Sequence, residues 1–322
     1  MHAIVLKKCL CLNNLSNIFI LTPSESWFKT ISKNIKLAKN AGFCYGVKRA
    51  VETTIKLKKE NPNKKISVLG ELIHNSHVIS ELESSGIKTI NSLPDNGEGI
   101  CIIRSHGESN VVFKQVQDKG YELVDLTCFD VKKVQNRAME LARNGFLVII
   151  LGKFEHPEVM AIRANAQEYA TDPQNVYVAQ TIDKLKLIED RIKSSPKVGV
   201  VLQTTQTKEY LYEIIDYLMD KCKILNVSNT ICPSTTLRQE EAKKLAQESD
   251  LMVVVGSKKS ANTTHLAQLL QDITRTIHIE DENELDNYKE IIIKSQSIGV
   301  TAGASTPDNI IQEVINKLER TV

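Results

Sequence analysis

The fold is decided by a layout that occurs three times, as IKLAKNAGFC at residues 35–44, ELVDLTC at residues 122–128 and LNVSNTIC at residues 225–232. In each copy a short strand pattern runs into a cysteine, and a helical pattern follows. A buried strand pattern then ends at Gly70, Gly152 or Gly256, at a nearly constant spacing after the cysteine. Self-similarity of this kind indicates internal repeats, so the sequence predicts three similar units.

Uncharged apolar runs mark the predicted strands, for example LVIIL at residues 147–151 and LMVVV at residues 251–255. Strands that are buried on both faces of a parallel sheet have this composition. Amphipathic patterns at 46–59, 131–143 and 235–247 predict helices between them. The predicted class is α/β, with three units related by a pseudo-threefold axis and a mostly parallel sheet in each. We expect an extension at 1–34, a strand with the first cysteine at 35–45, and units at 46–128, 129–228 and 229–322.

Polar residues follow the predicted strands of every unit. Ligands of open α/β sheets bind at the carboxyl ends of the strands, so a pseudo-threefold axis would gather these residues around one cavity. Imidazole, hydroxyl and amide groups predominate, with one nearby carboxylate, which favours an anion with several acceptor oxygens. Three similar domains with separate surfaces are the alternative. The residues concerned are His74, His106, His156, Glu158, Thr204, Ser260, Asn262 and Ser305.

Glu158 follows His156 and Pro157 at the end of a predicted strand. A carboxyl group in a closed cavity loses hydration, which raises its pKa, whereas nearby positive groups lower it. Such a group is a candidate proton donor. The alternative is a glutamate in the first turn of a helix, where a negative charge favours the helix N-terminus.

Cys44, Cys128 and Cys232 occupy the same place in each unit and are predicted to form one three-thiolate site. Three cysteines can hold zinc with a fourth ligand, or an iron–sulfur cluster with one open iron. Their wide separation in the chain, without C-x-x-C pairs, favours a cluster enclosed where the units meet. Small buried residues at tight corners are the alternative. Cys101 and Cys222 are predicted to be packing residues.

The composition excludes several classes of protein. The 41 Lys+Arg and 39 Asp+Glu residues give a net charge of +2, which is too balanced for nonspecific nucleic-acid binding. A run of about 18 uninterrupted apolar residues is absent, so we expect no membrane span. Seven cysteines in 322 residues fit a reducing compartment rather than a disulfide framework. We expect a soluble cytoplasmic protein, with organellar targeting by residues 1–34 as the alternative.

Nine motifs together resemble one known family, in the right order from about residue 35 to the C-terminus. That family is 4-hydroxy-3-methylbut-2-enyl diphosphate reductase, which catalyses the last step of the methylerythritol phosphate route to isoprenoids. The motifs are AGFCYGVKRA at 41–50, LIHN at 72–75, RSHG at 104–107, DLTC at 125–128, HPEV at 156–159, QTT at 203–205, NTIC at 229–232, GSK at 256–258 and TAGASTPD at 301–308.

The resemblance implies a trefoil of three α/β units around a [4Fe–4S] cluster held by Cys44, Cys128 and Cys232. In that family two electrons and two protons remove the substrate hydroxyl as water, which leaves isopentenyl or dimethylallyl diphosphate. The electron donor is a protein such as ferredoxin or flavodoxin. The resemblance also implies that Glu158 delivers protons with Thr204 in its relay. The implied diphosphate ligands are His74, His106, Ser260, Asn262 and Ser305, with His156 lining the same cavity.

Five positions depart from the residues usual in that family, namely Phe129, Gln135, Ala161, Ala261 and His265. None is a cluster ligand. Ala261 stands where a serine hydroxyl would donate to the diphosphate. Two other functions therefore stay open at this point: a divergent paralogue acting on another phosphorylated allylic substrate, and a non-catalytic metal-binding protein.

Overall fold

Residues 34–321 are described by the computed structural model, and they contain three four-stranded sheets with helices between the strands. The predicted extension lies outside this range except for Asn34, where the first strand begins. The first part of the chain runs through β1 (Asn34–Leu37), α1 (Tyr45–Glu60), β2 (Ile66–Leu69), α2 (Ser76–Ser84), β3 (Ile87–Ile90), β4 (Ile100–Ile103), α3 (Asn110–Asp118) and β5 (Glu122–Asp125).

The second and third parts repeat this alternation. The second has α4 (Phe129–Arg143), β6 (Leu147–Leu151), α5 (Pro157–Gln167), a 3-10 turn (Pro173–Asn175), β7 (Val176–Ala179), α6 (Ile182–Lys186), α7 (Glu189–Ser194), β8 (Val198–Leu202), α8 (Lys208–Met219) and β9 (Leu225–Val227). The third has α9 (Pro233–Gln247), β10 (Leu251–Val255), α10 (Ala261–Gln271), β11 (Thr276–Ile279), a 3-10 helix (Glu282–Tyr288), α11 (Lys289–Lys294), β12 (Ser297–Ala302) and α12 (Asp308–Thr321).

The three sheets have one topology, which confirms the predicted repeat. Their strand orders are β5-β4-β2-β3, β9-β8-β6-β7 and β1-β12-β10-β11, and all of the pairings are parallel. In each sheet the edge strand β1, β5 or β9 leads toward a cysteine. The first strand, β1, pairs with the last strand, β12, with Asn34 opposite Ser297, so the N-terminal strand completes the sheet of the third unit.

Alternate residues of the central strands pack into different parts of the core. In β6, Leu147, Ile149 and Leu151 belong to one buried cluster, whereas Val148 and Ile150 belong to another. The residues of β10 alternate in the same way. Apolar clusters on both faces explain why these strands are uninterrupted apolar runs. Each fully buried aliphatic side chain contributes roughly 1.5–3 kcal/mol to the free energy of unfolding.

Each of the three repeated cysteines is the N-cap residue of a helix, at the predicted strand-to-helix corner. Cys44, Cys128 and Cys232 precede α1, α4 and α9 with extended ψ angles of 164°, 142° and 135°. N-cap side chains commonly accept a hydrogen bond from the helix, but these three make no such bond. None of the three sulfur atoms is therefore used to cap its helix.

We propose to divide the chain at the boundaries expected from the sequence, 46–128, 129–228 and 229–322. Each interval contains the strands of one sheet, and β1 joins the sheet of the third interval from outside it.

Within residues 34–321, none of the helices combines the length and the apolar composition needed to cross a membrane.

Candidate active site

One cavity is lined by side chains from all three units. Every residue that the sequence placed in the candidate site lines it, so the alternative of three separate surfaces is wrong. These residues are Cys44, Cys128, Cys232, His74, His106, His156, Glu158, Thr204, Ser260, Asn262 and Ser305. We call the three cysteines the cysteine group and the three histidines the histidine group.

Backbone hydrogen bonds fix the cysteine group to the ends of the central strands. Each cysteine N–H donates to a carbonyl oxygen just beyond β12, β4 or β8. The pairs are Cys44 with Ala304 at 3.2 Å, Cys128 with Ser105 at 2.9 Å and Cys232 with Thr204 at 3.0 Å. This repeated bond gives each cysteine the same position at the end of the central strands of its own sheet.

The second residue after each cysteine also lines the cavity: Gly46, Asp130 and Ser234. A Cβ atom at Gly46 would lie 2.7 Å from the Sγ of Cys128 and 3.9 Å from the Sγ of Cys44. A side chain there would occupy the space beside both sulfur atoms. Glycine thus leaves room next to the cysteine group.

Asp130 corrects one expectation, because Glu158 is not the only carboxylate of the cavity. The Asp130 side chain is buried, and its Oδ2 accepts hydrogen bonds from the Tyr45 hydroxyl and, at 3.0 Å, from the Cys232 thiol. Burial raises the pKa of Asp130, but bonds from Tyr45, Cys232 and Lys133 outweigh burial, so the pKa is lowered. A carboxylate is thus placed against the cysteine group.

The cysteine group fits the iron–sulfur centre that the resemblance implies. The three thiols are free of disulfides, they line one cavity, and Gly46 leaves space beside them. Burial raises the pKa of the Cys128 and Cys232 thiols, so a bound metal would have to supply the charge that stabilises their thiolates. Among residues 34–321 the cavity is lined by three thiols and no fourth, which suits a cluster with one open iron. Cys101 is buried in β4 and the Cys222 thiol donates to the Leu218 carbonyl, so both are packed elsewhere.

The histidine group forms a tight cluster of imidazole rings. Ring centroids lie 4.5 Å apart for His74 and His106, 5.5 Å for His74 and His156, and 5.4 Å for His106 and His156. Burial, followed by neighbouring charges, lowers the pKa of His106 far below its usual value and that of His156 to about 3. These two rings are therefore neutral at pH 7.

The hydrogen bonds of the ring nitrogens indicate what kind of ligand suits the histidine group. His156 Nδ1 accepts a bond from the Glu158 N–H at 3.2 Å, so its neutral ring carries the hydrogen on Nε2. His74 Nδ1 lies 2.9 Å from the Glu71 carboxylate, which orients that ring. The ligand atoms of the group all lie within 4.8 Å of one another, a spacing that a metal ion could bridge. An Nε2–H on His156 is a donor, however, and favours an oxyanion over a metal.

Other polar groups of the cavity also suit an anion. His106 Nδ1, Thr205 Oγ1 and Asn262 Nδ2 are buried and have no hydrogen-bond partner among residues 34–321. The helices α5 and α10 begin directly after His156 and Ser260, which line the cavity as their N-caps. Helix N-termini carry partial positive charge and bind phosphate groups. The cavity is therefore rich in donors for an anion.

Glu158 is 2% exposed and is held by Thr204. The Thr204 N–H donates to one carboxylate oxygen at 2.7 Å, and the Thr204 hydroxyl donates to the other at 2.9 Å. Burial raises the pKa of Glu158 to about 7, although both bonds from Thr204 oppose the increase. A carboxyl group with this pKa exchanges protons readily near neutral pH.

Some cavity residues were not predicted from the sequence. Asp130 and Arg238 line it from the helices that follow Cys128 and Cys232. The position two residues after each cysteine was a usable signal, because the repeat implies equivalent surroundings there. Arg238 has no equivalent cation at the same place in the other units, so the repeat gave no signal for it.

Three free thiols and a buried carboxyl group line one cavity at the junction of three parallel α/β units, a site suited to a metal-dependent oxidoreductase. The chain belongs to the LytB protein family, whose sequence model matches residues 35–319. This match confirms the family that the nine motifs predict.

Curated relatives match most of the chain. It is 38% identical over 288 residues to the 4-hydroxy-3-methylbut-2-enyl diphosphate reductase of Clostridioides difficile, covering 89% of this chain and 99% of the relative. The enzyme of the same name from Syntrophotalea carbinolica is 40% identical over 286 residues, covering 88% of this chain and 98% of the relative.

Two solved structures have the same fold. One is (E)-4-hydroxy-3-methyl-but-2-enyl diphosphate reductase, described as the terminal enzyme of the non-mevalonate pathway, with a TM-score of 0.66 and 34% identity over 89% of this chain and 99% of that one. The other is the reductase from Plasmodium falciparum, with a TM-score of 0.79 and 26% identity over 88% of this chain and 87% of that one.

Proposed function

We propose that this protein reduces 4-hydroxy-3-methylbut-2-enyl diphosphate to isopentenyl and dimethylallyl diphosphate. The reaction takes up two electrons and two protons, breaks the allylic C–O bond and releases the hydroxyl as water. The observation that carries the proposal is the convergence of the cysteine group, Glu158 and the anion-binding donors on one cavity. The family and the names of its relatives support the same reaction.

Cys44, Cys128 and Cys232 would hold a [4Fe–4S] cluster, one per chain. When bound, the cluster supplies electrons one at a time and an open iron as a Lewis acid for the substrate hydroxyl. The residues around it exclude bulk water and orient the substrate. Gly46 keeps space free beside two of the sulfur atoms.

The diphosphate would be bound by His74, His106, Ser260, Asn262 and Ser305, with His156 in the same cavity. The unpartnered polar atoms Asn262 Nδ2 and His106 Nδ1 support this assignment, because a diphosphate oxygen would satisfy the amide and also the imidazole in the tautomer with its hydrogen on Nδ1. The N-terminus of α10 adds partial positive charge next to Ser260. Binding the remote diphosphate orients the allylic end of the substrate for reaction.

Glu158 would deliver protons to the reacting end of the substrate. Its raised pKa keeps a large fraction protonated at neutral pH, and its buried position keeps bulk water away from the transfer. Thr204 bonds both of its carboxylate oxygens and fixes their orientation. The Thr204 carbonyl also accepts from the Cys232 N–H, so one residue positions both the acid and a cysteine.

Electrons would come from a carrier protein such as ferredoxin or flavodoxin. Tyr45 and Phe129 directly follow Cys44 and Cys128 and are exposed, so a carrier can approach the cluster there. We propose a cytoplasmic location from the cysteine usage and the bacterial relatives.

The test is turnover of 4-hydroxy-3-methylbut-2-enyl diphosphate by protein purified and reconstituted without oxygen, with reduced methyl viologen as the electron source. We expect viologen oxidation at two electrons per substrate, with isopentenyl and dimethylallyl diphosphate detected by mass spectrometry. An intact cluster without turnover of this substrate, but with turnover of another phosphorylated allylic alcohol, would indicate the divergent paralogue. Bound metal without any turnover would indicate a non-catalytic protein.

A further inference from the structure

Arg238 is a buried arginine next to the cysteine group. It lies in α9, its side chain lines the cavity, and the residue is 4% exposed. One guanidinium nitrogen, Nη2, donates to the Gly42 carbonyl at 2.7 Å. The Nε and Nη1 atoms are buried without a hydrogen-bond partner among residues 34–321. The guanidinium therefore uses only part of its donor capacity.

Within the described part of the chain, the positive charge of Arg238 also has no carboxylate bonded to it. An arginine guanidinium stays protonated in proteins, although burial lowers the pKa of Arg238. This decrease in the pKa of Arg238 is opposed by charges on Cys44, Cys232 and Glu241. The Glu241 oxygens, however, accept from the backbone N–H groups of Lys39 and Asn40.

Buried charges in proteins are paired, because an isolated ion in a low-dielectric interior is strongly destabilising. The thiols of Cys44 and Cys232 provide the missing partner once a metal makes them thiolates. A cluster with three thiolates is negative overall, and one-electron reduction adds another negative charge. A fixed cation beside it favours the reduced form, since net charge and hydrogen bonds to sulfur set cluster potentials.

We propose that Arg238 is the charge partner of the thiolate-bound cluster, that it raises the reduction potential of the cluster, and that it stabilises the loaded protein over the cluster-free protein. This inference rests on the proposed function, because it requires a cluster on Cys44, Cys128 and Cys232. Arg238 is a positioning and tuning residue, with no part in proton transfer.

The competing explanation is a purely structural arginine that holds the loop at Gly42. Two variants separate the explanations. Arg238→Lys keeps a positive charge and an N–H donor, whereas Arg238→Met keeps neither. A structural role predicts equal cluster potentials in the two variants and the same order of stability with and without the cluster, whereas a charge role predicts different potentials and an order of stability that depends on the cluster.

The experiment measures the midpoint potential of the reconstituted cluster by a dithionite titration with redox mediators, followed by electron paramagnetic resonance. We expect the equilibrium constant for one-electron reduction to fall at least tenfold from Arg238→Lys to Arg238→Met, which is a decrease of 59 mV. Arg137→Met is the matched control, because each Arg137 guanidinium nitrogen already donates to a side chain, namely Ser228, Glu140 or Asn226, and its loss should leave the potential unchanged.

Thermal unfolding of the full chain with and without the cluster provides a second readout. Without the cluster, Arg238→Met should be more stable than Arg238→Lys, because an unpaired buried charge is gone. With the cluster, the order should reverse. Equal potentials in the two variants, or the same order of stability in both forms, would overturn the inference. A wild-type protein that binds no iron and sulfide would instead overturn the proposed function.

Discussion

The cysteine group and the histidine group line the same cavity, but they differ in charge and in hydrogen bonding. The cysteine group is accompanied by a buried cation, Arg238, and by a carboxylate, Asp130. The histidine group has two rings whose pKa values are lowered, and donors without partners lie near it.

The difference indicates that the two groups of this cavity suit different ligands. Thiols, a glycine that leaves space and a fixed cation suit a negatively charged metal–sulfur group. Neutral imidazoles, amide and hydroxyl donors and two helix N-termini suit an oxyanion. Glu158 and Thr204 connect the two groups. Thr204 bonds both Glu158 and the backbone of Cys232, and the Glu158 N–H donates to His156.

The largest effect is expected from the removal of a thiol from the cysteine group. Single serine substitutions at Cys44, Cys128 or Cys232 should abolish or severely degrade the cluster, because serine is a poor ligand for soft iron–sulfur centres. Cys101→Ser and Cys222→Ser should leave the iron content nearly intact. Iron and sulfide analysis of the five variants measures this, and an equal loss in all five would contradict the assignment.

The next largest effect is expected at Glu158. Glu158→Gln removes the proton but nearly keeps the shape, and general acid catalysis contributes about a hundredfold to ten-thousandfold. We expect kcat to fall by that factor while the cluster and substrate affinity are retained. Glu155→Gln, an exposed neighbour, is the control and should have normal kcat.

The raised pKa of Glu158 also predicts the direction in which kcat changes with pH. With a pKa near 7, the acid form predominates below pH 7 and is lost above it. The wild-type kcat should therefore fall as the pH rises through 7, and the residual rate of Glu158→Gln should lack this decrease. Turnover of Glu158→Gln within roughly threefold of wild type would show that another group supplies the proton.

A substitution in the histidine group should affect anion binding rather than the cluster. His106→Phe removes a donor that would contact the diphosphate, and a hydrogen bond to a charged group contributes roughly 1.5–3 kcal/mol. Affinity for isopentenyl diphosphate, measured by calorimetry, should fall about tenfold to a hundredfold. His77→Phe is an exposed control. Loss of iron from His106→Phe alone would contradict the separation of the two groups.

The smallest effect is expected at Ala261, which lines the cavity at the N-terminus of α10. Ala261→Ser adds a hydroxyl beside the proposed diphosphate donors, and the neighbouring Ser260 already places one hydroxyl there, so the gain should be modest. We expect the KM for the diphosphate substrate to fall about threefold to thirtyfold with little change in kcat, the pattern of added uniform binding. Unchanged or weaker affinity with an intact cluster would favour a different ligand.

Much of the site could be predicted because its residues repeat. Cys44, Cys128 and Cys232 each follow an edge strand, and the topology places all three at the ends of central strands. The histidines and Glu158 follow buried strands, where parallel sheets bind ligands. Residue type and position in the repeat were therefore sufficient to place these residues in one cavity.

Other features depend on packing between units, which one sequence does not reveal. Asp130 reaches Cys232 although the two residues lie in different units, and Arg238 bonds Gly42, which lies 196 residues away in the sequence. The tautomer of His156 depends on its own contact with the Glu158 N–H. The values of the pKa shifts likewise follow from burial in the assembled cavity.

Iron and acid-labile sulfide analysis of protein purified without oxygen, together with its visible spectrum, tests the central claim most directly. A [4Fe–4S] centre on the cysteine group predicts about four iron atoms and about four sulfides per chain, with the broad absorption of a cubane cluster that bleaches on reduction. Zinc without sulfide would contradict the account, because a single redox-inactive ion on three thiolates cannot supply the electrons that the reaction requires.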